Sequence, residues 1–456
     1  MDQQQNTTNN LGTQPIGRLL VQLAVPSITA QLVNLLYNIV DRIFIGHIEG
    51  IGHIALTGVG LCLPVLTLIS AFSALIGMGG APQVSMKLGQ KNIKQAENII
   101  GSCFTVLIII SLLLTALFLI FARPLLFLFG ASNETIPYSL SYLRIYVIGT
   151  VFVMITLGMN PFISAQGFAK ISMMTTIIGA LINIALDALF ILGFNMGVSG
   201  AALATIIAQA VSALWVLRFL SGPKSTVRIY PKNCRINLKI ITPVLALGLS
   251  PFIMQSTESL LNICFNTSLQ KYGGDLAVGA MTILSSVIQI CSLILVGLTQ
   301  GAQPIISYNF GARNADRVRR AFRLLFALAA SFSTAFWLFN QLLPRFFVSM
   351  FADNQSLIDI ASWALHIYLG AIFMLGIQLS CQQTFVAIGQ AKTSIFLALL
   401  RKIILLIPLI FILPHFFEDK VFAVFLAEPI SDFIAASVTG LMFIYQFRRQ
   451  LKSIAA

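Results

Sequence analysis

The chain has 456 residues, of which 57% are hydrophobic and only 9% charged, and it carries a formal charge of +13. A soluble domain carries about 25% charged residues, so this composition excludes a soluble enzyme and makes the chain a polytopic membrane protein. The basic residues lie in short stretches between long apolar runs, so the positive charge speaks for membrane orientation and not for nucleic acid.

The first ten residues, MDQQQNTTNN, are polar and lack the basic and apolar blocks of a signal peptide. They are expected to form a disordered cytoplasmic tail, followed by a short interfacial helix over 15–20. A helical span needs about 20 apolar residues. Twelve such runs follow, at 19–44, 52–78, 97–121, 137–159, 169–192, 198–220, 240–268, 276–300, 321–345, 359–385, 394–413 and 421–445. They are too long and too continuously apolar for the alternating strands of a β-barrel, and only helices satisfy their own backbone in lipid.

Twelve spans place both termini on one side. Lys87, Lys91 and Lys94 follow span two, and Lys224, Arg228, Lys232 and Arg235 follow span six. Arg313, Arg317, Arg319 and Arg320 follow span eight, and Arg448, Arg449 and Lys452 follow span twelve. The opposite loops hold little beyond Arg123, Lys271, Arg345 and Lys420. The positive-inside rule therefore predicts both termini in the cytoplasm. Five of the six cysteines fall in apolar runs and are read as packing residues; Cys234 lies in a basic loop. There is no P-loop, so ATP hydrolysis is not the expected energy source.

The chain also repeats itself. GGAPQVSMKLGQKN at 79–92 aligns with GAQPIISYNFGARN at 301–314, and the same offset of 222 pairs Gly167 with Gly389, Lys170 with Lys392 and Ser172 with Ser394. Both matched segments are expected in loops. The predicted fold is all-α, with two six-helix lobes related by a pseudo-twofold along the membrane normal. The lobes are 1–220 and 240–456, joined by a basic cytoplasmic linker at 221–239.

Polar residues inside spans face the protein interior or a water-filled cavity. Asn34, Asn38 and Asp41 share one helical face, as do Asn183 and Asp187, and Thr205 and Gln209. Asp41, Asp187 and Thr205 lie within about two turns of the predicted outer ends and are expected to meet in one pocket. Adjacent, partly desolvated carboxylates can hold a proton or give it up to bind Na⁺. Span seven carries a polar stripe of Gln255, Glu258, Ser259, Asn262 and Asn266, and span twelve carries Glu428 and Asp432 around Pro429. Tyr37, these two groups and the many methionines are candidates for a soft, drug-sized substrate pocket. The plainer alternative is that the polar side chains only tie helices together.

On these residues the chain resembles the MATE (multidrug and toxic compound extrusion) transporters, in their MepA-like and DinF-like branches. The resemblance runs from about residue 15 to 447. It is carried by VPSITAQLVNLLYNIVDRIFIG at 25–46, the two repeated segments, NIALDALFILG at 183–193, GVSGAALATIIAQ at 197–209 and FLAEPIS at 425–431. It implies an exporter of organic, chiefly cationic compounds in a bacterial cytoplasmic membrane. Such an exporter exchanges substrate for H⁺ or Na⁺ by alternating access. No cofactor is expected, and a monomer is expected because no extra dimerisation segment is visible. It implies a cation-coupling site, open to Na⁺, at Asp41, Asn183, Asp187 and Thr205. The polar faces of the spans, read by themselves, supply the candidate substrate contacts: Asn34, Tyr37, Asn38, Gln209, Gln255, Glu258, Ser259, Asn262, Glu428 and Asp432. A second ion site would pair Glu258 with an acid in span ten, but that span offers Gln378 and His366, with Asp359 only at its edge. The competing expectation is a flippase for a lipid-linked precursor, which calls for a more strongly charged central cavity.

Overall fold

The computed structural model describes residues 11–48, 50–351 and 354–455. Every regular element among the described residues is helical. In order, the helices are α1 (Ile16–Gly46), α2 (Gly52–Gly60), α3 (Leu63–Gly89), α4 (Ile93–Leu128), α5 (Ile136–Ile148), α6 (Thr150–Ala165), α7 (Ala169–Asp187) and α8 (Gly197–Ser221). There follow α9 (Leu238–Gly311), α10 (Ala315–Leu342), α11 (Pro344–Ser349), α12 (Gln355–Tyr368), α13 (Phe373–Ala387), α14 (Ala391–Leu399), α15 (Ile407–Ile412) and α16 (Lys420–Ala455). Among the described residues, nine helical segments are long and apolar enough to cross a membrane, and eleven when each of two bent pairs counts as one span. The protein is an all-α, multi-pass membrane protein.

The amphipathic logic is inverted relative to a soluble protein. On α1 the exposed side chains Val21, Val25, Leu32, Leu36, Ile39 and Ile43 recur every three or four residues, or two turns apart, and make an apolar outer stripe. The opposite stripe carries Ser27, Gln31, Asn34, Asn38 and Asp41 and turns toward an internal cavity. The segment expected as a separate interfacial helix over 15–20 is the first turn of α1, with Leu19 and Leu20 buried. Packing against α9 holds it in line. At Gly301 and Gly297 a Cβ would lie 2.4 Å from the Ala24 Cα and 2.6 Å from the Ile28 Cα, so the missing side chains let the two backbones touch. The expected tail over residues 1–10 lies outside the described residues.

Two buried apolar clusters divide the molecule. One is built from the end of α1, α2 to α6, α8 and the start of α9; the other is built from the rest of α9 through α16, with the start of α1 and Ala169 of α7. The 222-residue offset recurs in the geometry. Ser85 Oγ donates to the Ala165 carbonyl at 2.6 Å, and Ser307 Oγ donates to the Ala387 carbonyl at 2.8 Å. Lys91 and Arg313 both adopt a left-handed φ of 57°. Asn92 and Asn314 then cap α4 and α10, each side chain accepting a backbone N–H three residues on at 3.1 Å. The bends match as well: 57° between α5 and α6, and 51° between α12 and α13.

Several boundaries differ from the sequence expectation. The two repeated segments are not loops but the ends of α3 and α9, and the turns follow only at 90–92 and 312–314. Apolar runs mark where lipid is met, whereas these ends are buried in protein and need no lipid-like composition. The runs at 137–159 and 359–385 are not straight. The first breaks at Gly149, where a Cβ would lie 2.5–2.7 Å from the Ile206 side chain. α9 reads as 74 continuous residues, but Gly274 (φ 64°, ψ −160°) interrupts it with a conformation that L side chains avoid.

Candidate functional site

α1, α3, α5, α6, α7 and α8 surround a cavity of about 510 Å³, closed on the remaining side by Gln255, Gln300, Gln303 and Pro304 of α9. That volume lies within the range of about 300–1,000 Å³ that holds drug-sized ligands. The lining is rich in amides and hydroxyls, and Asp41 is its one charged side chain among the described residues.

Helical spacing sets out the polar face. Asn34, Tyr37, Asn38 and Asp41 line the cavity from α1, Asn183 from α7, and Thr205 and Gln209 from α8. Asn183 Nδ2 donates to Thr205 Oγ1 at 3.4 Å, and Thr205 Oγ1 donates to the Ala201 carbonyl at 3.0 Å. Asp187 stands behind this wall, fully buried and close enough to Asp41 for the carboxylates to interact directly. Neither Asp187 oxygen has a hydrogen-bond donor, and Asp41 Oδ1 and Asn183 Oδ1 also lack partners. Two neighbouring carboxylates therefore stand without a proton donor, and an unpartnered amide oxygen lies one helical turn before Asp187 on α7. Such a set suits a shared proton or a small hard cation, which takes oxygen ligands. Directly after Asp187 the chain widens into a π-helical turn, Ala188–Gly193, a device that re-aims side chains within a continuous helix.

The remaining candidates separate. Gln255 lines the cavity; Glu258, Ser259, Asn262, Glu428 and Asp432 do not. Glu428 and Asp432 are buried against Arg401. Arg401 Nε donates to Asp432 Oδ1 at 2.6 Å, and Nη2 donates to Glu428 Oε1 at 3.3 Å. Glu258 is paired with Lys402. In the bent α12–α13 span, His366 is bonded to Gln341 at 2.8 Å, Asp359 is paired with Arg345 at 2.9 Å, and Gln378 is buried.

Sequence reasoning passed over Arg401 and Lys402, whose signal was plain: two adjacent bases inside the apolar run 394–413. It also missed Asn160, Gln300 and Gln303 in the lining. Gln300 Oε1 accepts from Gln31 Nε2 at 3.1 Å, which ties α9 to α1 across the cavity floor.

A family model described as MatE matches residues 26–189 and 251–412. The multidrug export protein MepA of Staphylococcus haemolyticus is 24% identical over 438 residues, covering 96% of this chain and 95% of its own. A crystal structure of MATE in the bent conformation superposes with a TM-score of 0.92 at 22% identity, with 99% of both chains covered. An outward-facing multidrug resistance MATE family transporter superposes at 0.90 with 21% identity and 98% of both chains covered. These likenesses agree with the repeated geometry, and the chain belongs to the MatE family.

Proposed function

We propose that this protein is a cation-coupled antiporter that exports small organic, chiefly cationic compounds by alternating access. Its coupling ion, H⁺ or Na⁺, is taken up at Asp41, Asp187, Asn183 and Thr205. The observation that carries the reading is the donor-free pairing of Asp41 and Asp187 beside a cavity whose one charged lining residue, among the described residues, is Asp41. A buried carboxylate without a partner is costly in a membrane unless it binds something. The export activity named for the staphylococcal relative supports the same reading.

In the proposed architecture, α9 counts as two spans divided at Gly274. The bent pairs α5–α6 and α12–α13 count as one span each, which makes twelve spans. Two six-helix lobes, 1–220 and 240–456, are related about an axis along the membrane normal and joined by the linker 221–239; the first holds the cavity and α9 of the second closes it. Both termini and the basic turns face the cytoplasm. Cation uptake removes one negative charge from the Asp41–Asp187 pair and changes the charge offered to substrate from α1. Ion and substrate thereby favour different states, which coupling requires. Asn34, Tyr37, Asn38, Gln209 and Gln255 supply neutral polar contacts for the substrate. A lipid-precursor flippase calls for a strongly charged cavity; here the buried bases are engaged by carboxylates away from the lining.

The test is efflux of a fluorescent organic cation from proteoliposomes under separately imposed H⁺ and Na⁺ gradients. Asp187→Asn is expected to abolish gradient-driven efflux while leaving substrate binding measurable. Wild-type rates in Asp187→Asn, with the gradient still required, would remove Asp187 from coupling.

A further inference from the structure

Two buried acids, Glu428 and Asp432, one exposed acid, Glu258, and two bases from three stretches of chain meet in the C-terminal half. Arg401 lies ten residues beyond the start of α14, about 15 Å along the helix and so near the middle of a bilayer. Arg401 and Lys402 are sequence neighbours that serve different helices. Arg401 holds Glu428 and Asp432 on α16, whereas Lys402 Nζ donates to the Met254 carbonyl at 3.1 Å and to the Glu258 carboxylate on α9. Both sit in the π-helical stretch Leu400–Leu406. A π-helical turn disturbs the usual carbonyl pairing, and Ser431 Oγ donates to the Arg401 carbonyl at 2.8 Å. The side chains of Arg401, Glu428 and Asp432 are 11%, 7% and 4% exposed, so this is no surface ion pair.

Glu428 and Asp432, one helical turn apart around Pro429 with the Ser431 hydroxyl beside them, form the oxygen-rich pocket that a small cation would occupy. Here a guanidinium fills it. Unlike a proton or Na⁺, that cation cannot be released: it is always charged and covalently attached. We propose that Arg401 is a resident cation. It occupies a carboxylate pocket that would otherwise bind a small monovalent cation, and it leaves the N-terminal half as the only place where ions are exchanged. The exchange clause rests on the antiporter reading above; occupancy of the pocket does not.

Shortening the side chain tests this directly. In full-length Arg401→Ala the pocket keeps both carboxylates and gains a guanidinium-sized space. Added guanidinium or methylguanidinium chloride, at millimolar concentration, is expected to raise the thermal unfolding midpoint of Arg401→Ala and not that of the wild type. The same additions are expected to restore efflux in proteoliposomes after a loss of at least tenfold. Arg401→Ala combined with Glu428→Gln and Asp432→Asn is expected not to respond. Reversal-potential measurements are expected to give wild-type protein one ion fewer per substrate than Arg401→Ala assayed without guanidinium. Folded Arg401→Ala with no guanidinium response in either readout, or with an unchanged ion ratio, overturns the proposal. If Arg401→Ala aggregates, purification with guanidinium present decides: recovery supports the resident cation, and equal loss with and without it counts against it. The antiporter reading fails separately, if Asp187→Asn still couples while the guanidinium response persists.

Discussion

Replacing Gly311 with alanine presses a methyl group into the backbone of α3. A Cβ at Gly311 would lie 2.0 Å from the Met86 carbonyl oxygen, and one at Gly89 would lie 2.0 Å from the Tyr308 carbonyl oxygen. Ordinary contact begins at 3.4 Å, so the helix ends must part by about 1.4 Å. Both obstacles are backbone atoms and no rotamer change relieves them. Overpacking of this kind costs about 1–3 kcal/mol, charged only to the state in which α3 and α9 touch at these ends. The expected result is a population shift of roughly 5- to 150-fold toward states separated there. Spin labels at Lys91→Cys and Arg313→Cys, in a Cys234→Ser background, report the separation through electron–electron distance measurements. Gly311→Ala is expected to add a longer distance component and lower transport. Gly440→Ala, where a Cβ meets nothing within 4 Å, serves as the control and is expected to change neither. An unchanged distance distribution in Gly311→Ala refutes the idea that the Gly89–Gly311 contact holds this end closed.

Two further outcomes are expected. Cys234 is the one cysteine of six that is not buried, and desolvation pushes its thiol above the ordinary value of 9.0. The reactive thiolate is therefore scarce at neutral pH, so maleimide labelling should be confined to Cys234, slow at pH 7 and faster as pH rises. Labelling of inside-out but not right-side-out vesicles places the linker in the cytoplasm; the reverse pattern overturns that orientation. Gln166 Oε1 accepts bonds from Ser225 Oγ, Thr226 N and Val227 N at 2.9–3.0 Å, anchoring the linker to the N-terminal half. Gln166→Ala removes all three and should cost on the order of 3 kcal/mol at about 1 kcal/mol per bond, seen as a lower unfolding midpoint. An unshifted midpoint means that the linker is held elsewhere.

Much of the candidate site was legible because helices obey a period. The spacing of Asn34, Asn38 and Asp41 puts them on one face whatever the tertiary structure does, and the rarity of acids in apolar runs singled out Asp187. The repeat was legible because like residues recur at one offset, among them the asparagine caps Asn92 and Asn314, whereas the left-handed φ of Lys91 and Arg313 has no signal in a lysine or an arginine. Periodicity carries no information about which helix a face meets. The acids of α16 therefore read as open candidates until Arg401 was found between them, and the stripe Gln255–Glu258–Asn262 read as one surface although only Gln255 lines the cavity.

The division is physical. Solvent preference acts residue by residue, so composition and apolar runs alone determined a multi-pass helical membrane protein and a short set of polar positions within its spans, and matched residues at one offset added its repeat. Pairing depends on distances between chain segments far apart in sequence. Only the tertiary structure decided that Asp41 and Asp187 stand together without a donor, while Glu258, Glu428 and Asp432 have cations of their own.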